Sequence, residues 1–145
     1  MTEKKVIDFV KQGKNNRIKG QLFETRVRED LEEKGWTVTK WMNTVNFERD
    51  KVVPAKRKYN PFTRALAIGT GFPDLLCFKK TEENYEVIGV EVKSTGSLDK
   101  IEKGMCIWYL EKKIIPRILV AKKTKVKNKI VVVYTDFREK FMNKV

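Results

Sequence analysis

Residues 71–94 read GFPDLLCFKKTEENYEVIGVEVKS. Two apolar runs flank the polar TEEN at 81–84, the pattern of a β-hairpin. Three residues sit oddly in it: Asp74 directly after Pro73, and Glu91 and Lys93 among valines. Residues two apart in a strand share a face, so Glu91 and Lys93 project together, with Val90 and Val92 on the other side. With a symmetric turn, Thr81 pairs with Asn84, and counting back along antiparallel strands sets Asp74 directly opposite Glu91. Facing carboxylates repel unless shared protons, nearby cations or a divalent metal neutralise them. Lys93 supplies one positive charge against two negative ones, and a Mg²⁺ ion would balance the site.

Upstream, RIKGQLFETRVREDLEEK predicts a helix over Arg17–Lys34, stopped by Gly35. Phe23, Val27 and Leu31 form its apolar stripe. Glu24 lies about 20° from Leu31 on the helical wheel, at the border of the face that must pack, and Gly20 falls inside that face. An acid there is costly unless paired or metal-bound. Residues 1–16 read as a flexible or short helical lead-in, and WTVTKWM as a strand. Residues 43–70 carry Pro54 and Pro61, with five Lys/Arg and no Asp/Glu between Lys51 and Arg64. They predict a long basic substrate loop that holds one short helix or strand.

Downstream, SLDKIEKGMCIWYLEKK predicts a helix with Ile101, Met105, Trp108 and Leu110 on its apolar face, and Asp99 and Glu102 at capping-box spacing. RILVAKK and KIVVVYTDF predict two strands around the basic turn KKTKVKNK, and REKFMNKV a short helix. The order α-β-β-β-α-β-β gives an α/β (α+β) class with a central mixed sheet flanked by helices, in a single domain over 1–145.

Composition narrows the chemistry. Lys plus Arg number 32 against 19 Asp plus Glu, a net charge of +13 that attracts polyanions, nucleic acid first. There is no histidine, which excludes histidine-based nucleophilic catalysis and histidine zinc sites. Hydrolysis would have to run on carboxylates, lysine and a hard metal. Cys77 and Cys106 form no CxxC pair and read as core residues. No apolar run is long enough for a membrane span, and the polar N-terminus predicts an intracellular, cytoplasmic protein. Plainer readings stand beside the metal site. Glu24 could be a solvated helix residue, Asp74 a turn residue after Pro73, and Glu91 and Lys93 an ordinary strand-end pair.

Pro73-Asp74 followed by Glu91-Val92-Lys93, with Glu24 on the preceding helix, resembles the PD-(D/E)xK nuclease superfamily. RIKGQLFETRVREDLEEKGW is similar to the opening helix of archaeal Holliday-junction resolvases, and GFPDLLCF…GVEVKSTGSLDKIEKGMCIWYL to VRR-NUC modules. The resemblance covers roughly Arg17 to Lys122. It implies a restriction-endonuclease-like core and a Mg²⁺-dependent DNA endonuclease, with Mn²⁺ able to substitute. Asp74, Glu91 and the Val92 carbonyl would be metal ligands, Glu24 would hold metal directly or through water, and Lys93 would orient water or stabilise phosphate charge. Related modules often carry glutamine on the helix after ExK, where this chain has Glu102.

Phosphate contacts are expected from Arg17, Lys19, Lys56, Arg57, Lys58, Arg64, Lys100 and Lys103. The expected substrate is branched DNA, as in recombination and repair, cut by a homodimer, with Trp108 and Tyr109 as interface candidates. Single-stranded, flap or duplex DNA, and a non-catalytic binding module, are the alternatives.

Overall fold

The computed structural model describes residues 9–55, 58–60, 65–67 and 71–142, with side chains for 13–55 and 71–142. Helix α1 (Phe9–Glu33) leads into strand β1 (Thr37–Lys40). Two short hairpins follow: β2 (Asn43–Asn46) with β3 (Lys51–Pro54), and β4 (Lys58–Asn60) with β5 (Ala65–Ala67). Then come β6 (Leu75–Lys80), β7 (Tyr85–Val92), α2 (Lys100–Glu111), β8 (Ile118–Val126) and β9 (Lys129–Asp136). A helical turn at Arg138–Met142 closes the described chain.

Five strands make one mixed sheet in the order β1-β6-β7-β8-β9. Only β7 and β8 run parallel, and α2 is the crossover that a parallel pair requires. The helices cover opposite faces. On one, Phe23, Val27 and Leu31 of α1 meet Leu75, Cys77, Ile88, Val90 and Ala121. On the other, Cys106, Tyr109 and Leu110 of α2 pack with Phe72, Ile118, Val120 and Phe137. Each fully buried aliphatic side chain contributes about 1.5–3 kcal/mol by leaving water. Cys77 and Cys106 are buried free thiols.

The β6–β7 register is the one the symmetric turn implies. Leu75 pairs with Val90 and Lys80 with Tyr85, and the Thr81 amide donates to the Asn84 carbonyl at 2.7 Å. Helix α1 ends at the predicted glycine. Gly35 takes φ 93°, and the Trp36 amide donates back to the Leu31 carbonyl at 3.0 Å, closing a Schellman-type cap. The capping box of α2 is present with Asp99 as N-cap.

Several expectations need correction. Of the lead-in, residues 9–16 are helical and continuous with α1, with no break at Arg17, and residues 1–8 lie outside the described residues. Gly20 lies outside the packed face: it is exposed, and a Cβ there would meet nothing within 4 Å. The stretch 43–70 is not one loop. It contains four strands, and the turn of the first hairpin is set by Asp50 at φ 52° and by Asn46 Oδ1 accepting from the Arg49 amide at 3.0 Å. KKTKVKNK is mostly strand. The turn is only Lys127-Asn128, both with positive φ (49° and 63°), the backbone of a two-residue type I′ hairpin.

The buried stripe of α2 is rotated from the expected one. Ile101 is 67% exposed, Tyr109 is fully buried, and the half-buried Trp108 donates its indole N–H to Asp50 at 2.9 Å. These two aromatics therefore serve the packing of α2 and the first hairpin. Among the described residues, no helix is long and apolar enough to cross a membrane.

Candidate functional site

Extending the β6–β7 ladder by one residue sets Asp74 against Glu91, at the end of β6 and near the end of β7. Each side chain accepts a backbone amide from the opposite strand end. The Asp74 amide donates to Glu91 Oε1 at 3.1 Å, and the Val92 amide donates to Asp74 Oδ2 at 2.9 Å. The local reason is Pro73. The amides of Gly89 and Lys93 donate to Arg117 and Ala121 at 2.9 Å each, toward β8, so the even-numbered residues between them turn toward β6. One further step of the ladder sets Val92 opposite Pro73, which has no N–H. The ladder thus supplies no donor to the Val92 carbonyl, and the Asp74 carboxylate takes the Val92 amide in place of a strand partner. Three oxygen-bearing groups gather where the two strands part.

Packing fixes this corner from below. The buried Tyr109 hydroxyl donates to the Phe72 carbonyl at 2.7 Å, just before Pro73-Asp74, and accepts from the Trp41 indole at 3.3 Å. Gly89 leaves room for Pro73: a Cβ there would stand 2.9 Å from its ring. Gly71 threads past β2, where a Cβ would come within 2.2 Å of the Trp41 carbonyl oxygen.

Glu91 is 4% exposed. Burial, and then the adjacent Asp74 and Glu102 carboxylates, push its carboxyl up to about 11, against a smaller opposing pull from Lys93. The Cys106 thiol is likewise pushed up to about 12, first by burial and then by Glu91 and Glu102, which keeps it a neutral packing group. Lys93 does not bridge the two acids. Its ammonium pairs with Glu102 Oε2 at 2.7 Å. Burial works to lower the Lys93 pKa, but the Glu102 bond and the surrounding carboxylates outweigh it and hold it above the usual lysine value.

Asp74, Glu91, Val92, Lys93 and Glu102 line a recess of about 600 Å³, with Thr44, Ile101 and Met105 on its apolar side. Its donors are carboxylate and carbonyl oxygens without imidazole or thiolate, a set that suits Mg²⁺ or Mn²⁺ rather than zinc. Among the described residues, no three His, Cys, Asp or Glu side chains are gathered at metal-holding spacing, so the set is a carboxylate pair plus backbone.

Glu24 does not line this recess. It lies half-buried on α1, and its partner is Lys40 Nζ at 4.0 Å. Leu75, the register partner of Lys40, packs in the core beneath α1, whereas Asp74 and Glu91 project from the opposite face of the sheet.

Arg17 and Lys19 are exposed in the first half of α1, and Lys100 is exposed where α2 starts. The Lys103 ammonium lies 5.0 Å over the Phe141 ring, a cation–π contact that directs it to the chain end. Lys58 is in β4, where only backbone is described, and Lys56, Arg57 and Arg64 lie outside the described residues.

One basic residue, Arg26, escaped the sequence reading. Arg26 and Lys123 join Lys19 around a groove of about 360 Å³ between α1 and the β8–β9 hairpin. The Lys123 amide donates to the Ser94 carbonyl at 3.1 Å, which ties β8 to the loop after β7, while the groove itself lies on the α1 face of the sheet, opposite the recess. No family model, curated protein or solved structure matches the chain.

Proposed function

We propose that the protein is a metal-dependent DNA endonuclease of PD-(D/E)xK type that hydrolyses phosphodiester bonds, selects branched DNA and acts as a homodimer. The observation that carries the reading is the Asp74–Glu91 pair. Two carboxylates face each other at the ends of neighbouring strands, one of them buried, in a chain of net charge +13. A pure binding module gains nothing from buried acid beside an anionic ligand, since each carboxylate there repels phosphate.

In this reading Asp74, Glu91 and the Val92 carbonyl hold Mg²⁺ or Mn²⁺, which supplies an activated water and a Lewis acid for the scissile phosphate. Asp74 and Glu91 each use one oxygen to lock the strand ends, so their geometry is set before substrate arrives. Lys93, on the same face two residues from Glu91, presents its ammonium to the charge that develops at phosphorus. Glu24 enters no step from its place beside Lys40. Arg17, Lys19, Lys100, Arg26 and Lys123 meet phosphates along the strand, which gives affinity without reading bases.

The test is a panel of four-way junction, flap, duplex and single-stranded DNA in Mg²⁺, Mn²⁺ or EDTA, with Lys93→Ala alongside the parent. Metal-dependent, symmetric nicks in the junction, lost in Lys93→Ala, support the reading. Preferential cutting of flap or single-stranded DNA would move the substrate assignment, and tight binding without any cut in metal would leave a binding module.

A further inference from the structure

We infer that Glu102 is a positioning residue, a two-handed carboxylate that holds the Lys93 ammonium in place while capping α2; its catalytic consequence rests on the nuclease reading above. Glu102 Oε1 accepts the Asp99 amide at 3.0 Å, and its other oxygen, Oε2, holds Lys93 Nζ at 2.7 Å. The Glu102 amide in turn donates to Asp99 Oδ1 at 2.8 Å. One side chain thereby ties the first turn of α2 to the strand that carries Glu91. Its own side chain is 13% exposed, so water competes weakly for either oxygen.

The chemistry makes glutamate, and not merely a capping residue, the requirement. A capping box works equally with glutamine, because the N-cap amide needs a single acceptor. A carboxylate offers an acceptor at each oxygen; a carboxamide offers one acceptor and one donor group. Glutamine at 102 can place its oxygen at only one of these two positions, so its NH₂ faces either the Lys93 ammonium or the Asp99 amide, donor against donor. Glu91 and Asp74 also attract this ammonium. Without the second oxygen of Glu102, Lys93 swings toward the acids at the strand ends instead of standing beside them.

The experiment separates position from capping and from cleavage. In ¹⁵N-labelled, metal-free protein at low temperature, the side-chain ammonium signal of Lys93, assigned by its loss in Lys93→Met, reports directly on the ion pair through slow proton exchange. The expected result is a resolved signal in the parent and in Asp99→Ala, and its loss in Glu102→Gln. Glu102→Asp, which keeps the charge but lacks the reach, should lose it as well and serves if the glutamine variant folds poorly. On junction DNA, Glu102→Gln is expected to lower kcat by roughly 10-fold or more with KM little changed, the scale on which groups that orient an active side chain act.

A Lys93 signal unchanged in Glu102→Gln and Glu102→Asp, or lost equally in Asp99→Ala, overturns the inference and leaves Glu102 as a helix cap. The signal decides the matter whether or not the parent cuts DNA, so failure of the nuclease reading is read separately from the cleavage panel.

Discussion

Tyr109→Phe tests how the recess is held. The Tyr109 ring is fully buried, and the substitution removes one oxygen without changing the packing shape. That oxygen donates to the Phe72 carbonyl at 2.7 Å and accepts from the Trp41 indole at 3.3 Å. Phe72 is 6% exposed, so its carbonyl is left in the core without a donor. An orphaned buried acceptor costs about 1–3 kcal/mol, whereas the longer bond to the half-exposed indole is easily replaced by water. The expected loss is therefore about 2 kcal/mol. At about 2.1 cal/mol/K of unfolding entropy per residue, a chain of this length loses roughly 7 °C in Tm.

Urea unfolding followed by circular dichroism measures it. The midpoint should fall with an unchanged slope, because the surface exposed on unfolding is the same. Phe72 also leads into Pro73-Asp74, so the variant should cut DNA more slowly than the parent even where both are fully folded. A stability change below about 0.5 kcal/mol, smaller than one ordinary hydrogen bond, would refute the reasoning.

Two further outcomes follow from the same corner. Gly71→Ala would place a Cβ 2.2 Å from the Trp41 carbonyl oxygen and 2.8 Å from the Asn43 amide nitrogen, backbone on both counts. Thermal unfolding should show a loss of about 3 kcal/mol or more, and an unaffected Tm would mean that this close approach is absent. In EDTA, stability should depend on pH through Glu91. Its folded-state carboxyl, raised first by burial, keeps a proton that the unfolded chain releases above its ordinary value of 4.5. This contribution is fullest below about pH 4.5 and falls by about 1.4 kcal/mol per pH unit above it, roughly 3 kcal/mol by pH 7. Glu91→Gln lacks this titration, so its advantage over the parent should grow from pH 5 to pH 7 in urea unfolding. Parallel curves would contradict it.

Much of this corner was legible in the sequence because its determinants are local. The TEEN turn sets the register, and register alone puts Asp74 across from Glu91. Gly35 and the Asp99–Glu102 spacing mark helix ends through backbone conformation and orphan amides, which need no distant partner. The errors came where tertiary contacts decide. A helical wheel places Glu24 around α1 but not along the sheet, nor on which face the recess opens, so it could not show that Glu24 meets Lys40. The first hairpin in 43–70 is short and polar, and its tip is held by Trp108 and Lys112 reaching Asp50 from α2. The Lys93–Glu102 pair joins a strand to a helix across a loop whose path no spacing rule predicts.

The central claim is that Asp74 and Glu91 form a cation-dependent centre for cutting DNA, and single-turnover cleavage of a four-way junction in Mg²⁺ tests it most directly. The account predicts cutting by the parent that EDTA stops. It also predicts a fall of about three orders of magnitude in Asp74→Ala, the scale of losing one group from a preorganised charge-stabilising site. Cutting by Asp74→Ala at the parent rate would contradict it.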